Sequence, residues 1–432
     1  MIPLADARRA VLERCSPLPA VTVDVADAVG CVLASAAEAA GDVPPFANSS
    51  MDGYALRAAD VAAAPVALSV VGRVLAGSTP TVAVGPGEAA RIMTGAPVPA
   101  GADAVCMVER THPSDVPGGE GVVIESAVAV GENVRPAGDD VRAGEHVLDA
   151  GSTVGPAQLG ALVSAGCRSV VVHRRPRVGV LSTGDELVPA GAARTGAAVY
   201  DSNGPMLRAL VAEAGATAVD LGTVPDDAAA IAGRVTGALG AVDVLVLSGG
   251  VSVGDVDLVK GVLQSLDPSG FRWMQVAVRP AKPFCFARLS GADGPVPAFG
   301  LPGNPVSSAV SFELFVRPAL LALSGHRATE RPRLWARAGD VLRRQPDGRL
   351  HLMRVRLERT GGAGPTDGDG WGAGPTAGDG WVARPCPGQG SHQIRSLALA
   401  DGLAFLPDGD SLPAGSAVEV MVTNPAVLAG GR

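Results

Sequence analysis

The segment from Val242 to Asp257, VDVLVLSGGVSVGDVD, constrains the fold more than any other part of the 432-residue chain. A Val/Leu run without polar alternation reads as a strand buried on both faces, the condition of a central strand in a parallel sheet. Its abrupt end at Ser248 marks the rim of such a sheet, where open α/β folds bind ligands. Gly249, Gly250 and Gly254 would let backbone amides approach phosphate oxygens closely. Asp255 and Asp257 sit where a dianion is repelled unless a divalent cation lies between, so the segment suggests a Mg²⁺-bridged phosphate site.

Length and charge narrow the rest. A chain this long exceeds one ordinary core and predicts about two to four domains. With 47% hydrophobic and 18% charged residues it has the apolar material for globular packing. A net charge of −8 excludes a general nucleic-acid or membrane-surface binder, because both need a basic face; attraction of an anionic substrate must be local. Cys15, Cys31, Cys106, Cys167, Cys285 and Cys386 form no CxxC and the histidines no HxxxH. That argues against zinc, iron–sulfur and disulfide chemistry and for a reducing cytoplasm. Charges at Asp6, Arg8 and Arg9 precede any apolar core, so no ordinary secretory signal is expected. Long uncharged stretches are broken by Gly, Ser, Pro or Gln, so no membrane span is expected.

Periodicity divides the chain. Residues 1 to about 42 read as helix, short strand, helix: Leu4, Val11 and Leu12 recur at helical spacing, VTVDV alternates, and VGCVLASAAEA is again helical. From Val43 to about Asp140, short β runs (ALSVVGRVLAG, AVCMVER, GVVIES) alternate with Gly/Pro turns, as in a β-rich insertion. Pro156 to Gly166 then returns to an alanine-rich helix suited to packing beside the N-terminal ones. Between Arg177 and Gly325 strands (RVGVLS, TAVDLGTV, VDVLVLS, VPAFG) alternate with helices (NGPMLRALVAEAG, DDAAAIAGRVTGAL, DLVKGVLQSL, PVSSAVSFELFVRPALLAL), the pattern of a doubly wound α/β domain. Beyond Pro332, short alternating runs predict a terminal β domain. GAGPTDGDGW at 362–371 recurs as GAGPTAGDGW at 372–381. Such decapeptides bury too little apolar surface to offset their ordering entropy and read as a hairpin-tip insertion without chemistry.

Polar residues punctuate the predicted sheet edge. In RVGVLSTGDEL the strand ends at Ser182, and Thr183, Gly184, Asp185 and Glu186 follow; the two carboxylates suit either Mg²⁺ or the N-terminus of a helix. Asp201, Ser202 and Asn203 precede a helix, as do Asp226 and Asp227. Capping explains part of each, and the shared rim makes them candidate ligand contacts. In GLPGNPVSSAV, Asn304 is an N-cap and Pro305 the first helical residue after Pro302, a start that points free N–H groups at a compact oxyanion. VAVRPAKPF supplies Arg279 and Lys282 between prolines, either a local cationic spot or surface salt-bridge partners. Asp52 beside Gly53 and Thr94 beside Gly95 stand in unusually polar loops that simple turns would also explain.

NSSMDGYA, RIMTGAPVPAGADAV, STGDEL, DSN, SGGVSVGDVD, RPAKPF, LPGNPVSSAV and GQGSHQIRSLALADGL, in this order between about residues 3 and 425, resemble the MoeA family of molybdopterin molybdenumtransferases, related to the E domain of gephyrin. The resemblance implies an α/β multidomain fold with four parts. These are a discontinuous helical linking domain (1–42 and 142–174), a β-rich inserted domain (43–141), a doubly wound, mostly parallel α/β molybdopterin-binding domain (175–328) and a C-terminal β-barrel domain (329–432) with the Gly/Pro/Asp insertion at 361–381. It implies a cytoplasmic homodimer whose active cleft is shared between subunits. It further implies Mg²⁺-dependent insertion of molybdenum from molybdate into adenylylated molybdopterin, with release of AMP. A molybdopterin adenylyltransferase and apo-molybdoenzymes are the implied partners.

Carried over by position, the family's functional acids fall on Asp52, Asp140, Glu186, Asp226 and Asp257 and its threonine on Thr94, with Glu186, Asp226 and Asp257 as Mg²⁺ ligands. The molybdate position falls on Ser248, Arg279, Lys282, Arg354, Ser391 and the helix start after Pro302. Ser182, Thr183, Gly184, Asp201, Ser202, Asn203, Gly249, Gly250, Asn304 and Pro305 complete the implied substrate surface. Arg279 stands where members often carry lysine, and Gln275 where some carry another; arginine keeps the charge but replaces a point donor with a planar fork. Two alternatives use the same residues: adenylylation of molybdopterin, which leaves the extra β regions without a task, and a non-catalytic gephyrin-like scaffold, which leaves the acids without one. A nicotinamide enzyme is disfavoured, because no GxGxxG follows the first strand of the α/β region.

Overall fold

The computed structural model describes residues 1–117, 119–251, 257–359 and 380–429. Gly254, Asp255 and positions 362–379 of the repeat lie outside the described residues. Two compact units are formed, residues 1–19 with 173–432 and residues 20–172.

In the first unit four parallel strands run in the order Thr217–Val224, Arg177–Thr183, Val244–Ser248, Gly294–Leu301, and two antiparallel strands, Pro283–Gly291 and Arg272–Gln275, extend one edge. Val244–Ser248 is buried along its length, and its side chains alternate between two cores. Val244 and Val246 pack with Leu207, Val211, Val306 and Phe312 on one face, while Leu245 and Leu247 pack with Ile231, Val235, Val259 and Leu263 on the other. Helices on both faces make this a doubly wound sheet, and the apolar run is the sequence's record of that double cover.

The N-terminal helix Leu4–Leu12 buries Ala7 and Val11 in the first of these cores. The helical run from Pro305 to Leu323 is apolar enough over 19 residues to cross a membrane, yet 83% of that window is buried in the protein. Its middle turn, Phe312–Val316, is π-helical. There Phe315 stacks on Phe284 at 4.3 Å between centroids, and Glu313 accepts two hydrogen bonds from Arg331, at 2.9 and 2.8 Å.

Strands Arg333–Ala338, Leu350–Arg359, Trp381–Pro385, Gly402–Leu406 and Ala417–Val422 close into a barrel, because Leu350–Arg359 pairs with both Trp381–Pro385 and Gly402–Leu406. Val278–Arg279, which leads into the α/β strand Pro283–Gly291, pairs in parallel with Leu350 and His351 at the barrel's edge.

The second unit is built on a six-stranded sheet ordered Ala104–Met107, Gly53–Leu56, Glu88–Ile92, Val66–Val74, Gly119–Ile124, Thr111–Val116. The first four residues of VTVDV lie in the strand Ala20–Asp24, with alternating exposure, and Val25 starts the 3-10 turn Val25–Ala28. The helix expected over VGCVLASAAEA does not form. Gly30 takes φ +82°, Val32 and Leu33 bridge to Thr153 and Val172, and Ala37–Glu38 pairs with the strand His146–Leu148. The apolar spacing there fits a helix equally well; strand partners more than a hundred positions away decide the outcome.

Candidate active site

The parallel strands end at one edge, and the loops that follow help enclose a cavity of about 1640 Å³. Its lining includes all sixteen substrate-surface residues named from the sequence, from Ser182 to Ser391, together with Glu186 and Asp226. The structure thus brings together residues that are more than two hundred positions apart.

The sheet-edge wall is acidic and crowded. Gly249 takes φ +111°, and a Cβ there would lie 2.5 Å from Thr183 Oγ1, so only glycine fits. Its N–H donates to the Leu301 carbonyl at 3.1 Å, which makes it an extension of the sheet rather than the open phosphate donor expected. Asp201 Oδ1 accepts from the N–H groups of Asn203 and Gly204, each at 3.0 Å. That carboxylate serves the helix start, whereas Ser202, the N-cap by position, makes no side-chain capping bond. Asn203 Nδ2 donates to Ser248 Oγ at 2.8 Å and to the Gly303 carbonyl at 2.7 Å. Ser182 Oγ, Thr183 Oγ1 and Asn203 Oδ1 are buried without a hydrogen-bond partner among the described residues. Buried polar atoms of this kind are normally satisfied, which makes these three residues of the lining candidate contacts for a polar ligand.

The acids divide their work. Asp227 Oδ1 caps its helix through the Ala230 N–H at 2.7 Å, and Asp185 Oδ1 accepts from the Asp226 N–H at 3.1 Å. Glu186 and Asp226 remain for the cavity. Partial burial, with the Asp185 and Glu186 carboxylates close by, raises the Asp226 pKa. Asp257 heads the helix Leu258–Leu266 and does not line the described cavity. Among the described residues no group of three or more His, Cys, Asp or Glu is gathered to hold a metal ion, so the three acids expected as one ligand set do not form one there. The remaining pair still fits Mg²⁺, which keeps several waters and takes one or two carboxylates plus substrate phosphate oxygens.

Another part of the lining is basic. Ala281, between Arg279 and Lys282, is 2% exposed and takes φ +80°, a conformation rare outside glycine that persists only where surroundings enforce it. Arg279 pairs with Asp347 at 3.3 Å. Asp347 also accepts from Arg349 and, at 3.0 Å, from His351 Nε2. The hydrogen bonds from Arg349 and His351 hold its carboxyl well below the usual range. Lys282 and Arg343 line the cavity and form no salt bridge among the described residues.

Arg354 lines the same wall but is only 1% exposed. Its Nε donates to Ser396 Oγ at 3.1 Å, and one Nη donates to the Gly388 and Gly390 carbonyls, both at 3.1 Å. Burial lowers its pKa to about 10. Arg354 therefore organises the loop that presents Ser391 as well as charging the wall. The Ser391 carbonyl in turn accepts from the Val306 N–H at 3.0 Å, and the Asn304 side chain makes no capping bond, so the helix start after Pro302 is less open than its sequence suggests.

In the second unit Asp52 and Thr94 meet. Asp52 Oδ1 accepts from the Thr94 N–H at 2.7 Å and from Thr94 Oγ1 at 2.9 Å. The Thr94 backbone bond first, then its hydroxyl, lower the Asp52 pKa. Both residues are exposed, as is Asp140. Thr94→Val is expected to move the Asp52 titration part of the way back towards an ordinary aspartate, read by NMR across acidic pH. An unchanged titration would show that the backbone donor alone sets it.

Sequence reasoning missed Arg343, Arg349, His351, Val199 and Tyr200, all of which line the cavity. His351 had one indirect signal: its strand carries the RVR of Arg354, but only the parallel pairing of Arg279 with His351 shows that both belong to one wall.

Three family models match: MoeA N-terminal region (domain I and II) over residues 2–166, probable molybdopterin binding domain over 179–322, and MoeA C-terminal region (domain IV) over 374–423. A Mycobacterium tuberculosis protein named molybdopterin molybdenumtransferase 2 is 35% identical over 411 residues, covering 93% of this chain and 95% of that one. A Haemophilus influenzae molybdopterin molybdenumtransferase is 36% identical over 358 residues, covering 82% and 85%. The crystal structure of a molybdopterin biosynthesis MoeA protein from Pyrococcus horikosii superimposes with a TM-score of 0.78 at 30% identity, covering 98% of this chain and 99% of that one.

Proposed function

Because the chain belongs to the MoeA family and is a molybdopterin molybdenumtransferase of molybdenum cofactor biosynthesis, we propose that its cavity holds adenylylated molybdopterin and molybdate together and couples loss of AMP to entry of molybdenum. The observation that carries this reading is the division of one cavity into an acidic wall at the sheet edge and a basic wall at the barrel. A pyrophosphate with its counter-ion suits the first wall, and an oxyanion suits the second.

Glu186 and Asp226 would hold Mg²⁺, and the ion would supply charge stabilisation for the leaving phosphate. Neither carboxylate needs to act as a nucleophile. Ser182 and Thr183 donate their unmatched hydroxyls to substrate oxygens, and Asn203 orients Ser248 through its amide. Lys282 and Arg279 attract molybdate, and Ser391, held in place through Arg354, donates to it. The fork of Arg279 is already turned towards Asp347, which restricts the directions from which it meets an oxyanion. The proposal includes a cytoplasmic homodimer in which Asp52, Thr94 and Asp140 of a second copy complete the cavity, with an adenylyltransferase as supplier and apo-molybdoenzymes as recipients.

Purified protein incubated with adenylylated molybdopterin, Mg²⁺ and molybdate is expected to release AMP only when all three are present. AMP release indifferent to molybdate would overturn the coupling, and adenylylated product from molybdopterin and ATP would favour the adenylyltransferase alternative.

A further inference from the structure

One part of the cavity is neither acidic nor basic. Leu187, Val199 and Tyr200 line its lip, and Val199 and Tyr200 are 45% and 42% exposed. The chain has two tyrosines and 3% aromatic residues in all; the other tyrosine, Tyr54, is 4% exposed within a core. A half-exposed aromatic ring lining a charged cavity offers a ligand an apolar contact surface there.

The setting of Tyr200 is tightly defined. Leu187–Val188 pairs in parallel with Val199–Tyr200. The Val199 N–H donates to the Glu186 carbonyl at 2.8 Å, and the Asp201 N–H donates to the Val188 carbonyl at 2.9 Å. The phenol donates to the Ala192 carbonyl at 3.2 Å. The Arg194 guanidinium lies 4.8 Å from the ring centroid and is not among the residues that line the cavity, whereas Tyr200 is. The same short ladder pairs the Tyr200 strand with the residues that directly follow Glu186, so the ring's backbone is fixed at the acidic part of the lining.

We propose that Tyr200, flanked by Val199, is a stacking platform for a planar, amine-bearing heterocycle of the substrate, its purine or its pterin. This rests on the functional reading above and assigns an apolar subsite within it. Stacking on an aromatic side chain is sequence-tolerant, strong and local, and its loss reads as about tenfold or more in affinity.

The test is equilibrium binding of AMP, of molybdopterin and of molybdate to the full chain as wild type, Tyr200→Ala and Tyr200→Phe. Tyr200→Ala is expected to weaken AMP or molybdopterin by about tenfold or more, Tyr200→Phe to bind like wild type, and molybdate affinity to stay the same in all three. Loss confined to AMP assigns the purine, and loss confined to molybdopterin assigns the pterin. If wild type binds both and Tyr200→Ala binds both equally well, the platform is wrong while the functional reading stands. Loss in Tyr200→Phe as well, or a parallel fall in molybdate affinity, overturns stacking in favour of a hydroxyl or a structural role. If wild type binds neither AMP nor molybdopterin, the functional reading fails and the platform with it.

Discussion

Glu186→Gln and Asp226→Asn are each expected to lower molybdate-dependent AMP release by about 10²-fold or more, since a lost metal contact costs several kcal/mol of charge stabilisation and each 1.4 kcal/mol is tenfold in rate. The substitutions keep shape and remove charge. Folding should survive both. The Asp226 pKa is raised by partial burial and by the Asp185 and Glu186 carboxylates, so its ionised form opposes the folded state. Its contribution to stability is fully present below the unfolded-state pKa and is lost as pH rises through the higher folded value. At neutral pH Asp226→Asn removes that opposition, and its melting temperature should equal or exceed that of wild type. Mg²⁺ should raise the melting temperature of wild type and do so less for either variant, by ordinary mass action. Near-wild-type AMP release with unchanged Mg²⁺ dependence in both variants would remove these acids from the chemistry.

Glu313→Ala should destabilise the protein by about 3–5 kcal/mol, the usual consequence of removing one member of a buried ion pair. Glu313 and Arg331 are 7% and 8% exposed. The Arg331 guanidinium is also held by Glu213 at 2.7 Å, while Arg317 stands near enough that burial and the Arg331 charge lower its pKa. Without Glu313 two arginines share a buried site with one surface-facing acid. Denaturant unfolding measures the loss, and the double replacement Glu313→Leu with Arg331→Met should recover much of it, because an apolar pair of similar volume has no charge to desolvate. A single variant as stable as wild type would mean that water reaches the site.

The alternation of strands and helices between residues 177 and 323 was legible because each element carries its own period, and an unbroken Val/Leu strand has few interpretations. Individual cavity residues were legible where they share a strand end with a glycine or a cap, as at Thr183, Ser248 and Asn203. What escaped was non-local. The strands at 32–38 depend on partners near 146 and 172. Asp347 collects Arg279, Arg349 and His351 from two segments about seventy positions apart. Nothing near Tyr200 in the chain distinguishes a ring facing a cavity from one packed in a core. The family pattern named five acids by position, but not that Asp227 and Asp185 accept local hydrogen bonds while Glu186 and Asp226 line the cavity.

The parallel pairing of Val278–Arg279 with Leu350–His351 has a bearing on how such an enzyme can be shortened. Cutting the chain ahead of the barrel would keep Glu186 and Asp226 in the chain but remove Arg343, Arg344, Arg349 and Arg354 from the lining and uncover the core that Leu352, Leu403, Phe405 and Met421 share with the α/β sheet. The truncated remnant is expected to collect cations with little hold on an oxyanion, because the terminal domain supplies a large share of the cavity lining and most of its arginines.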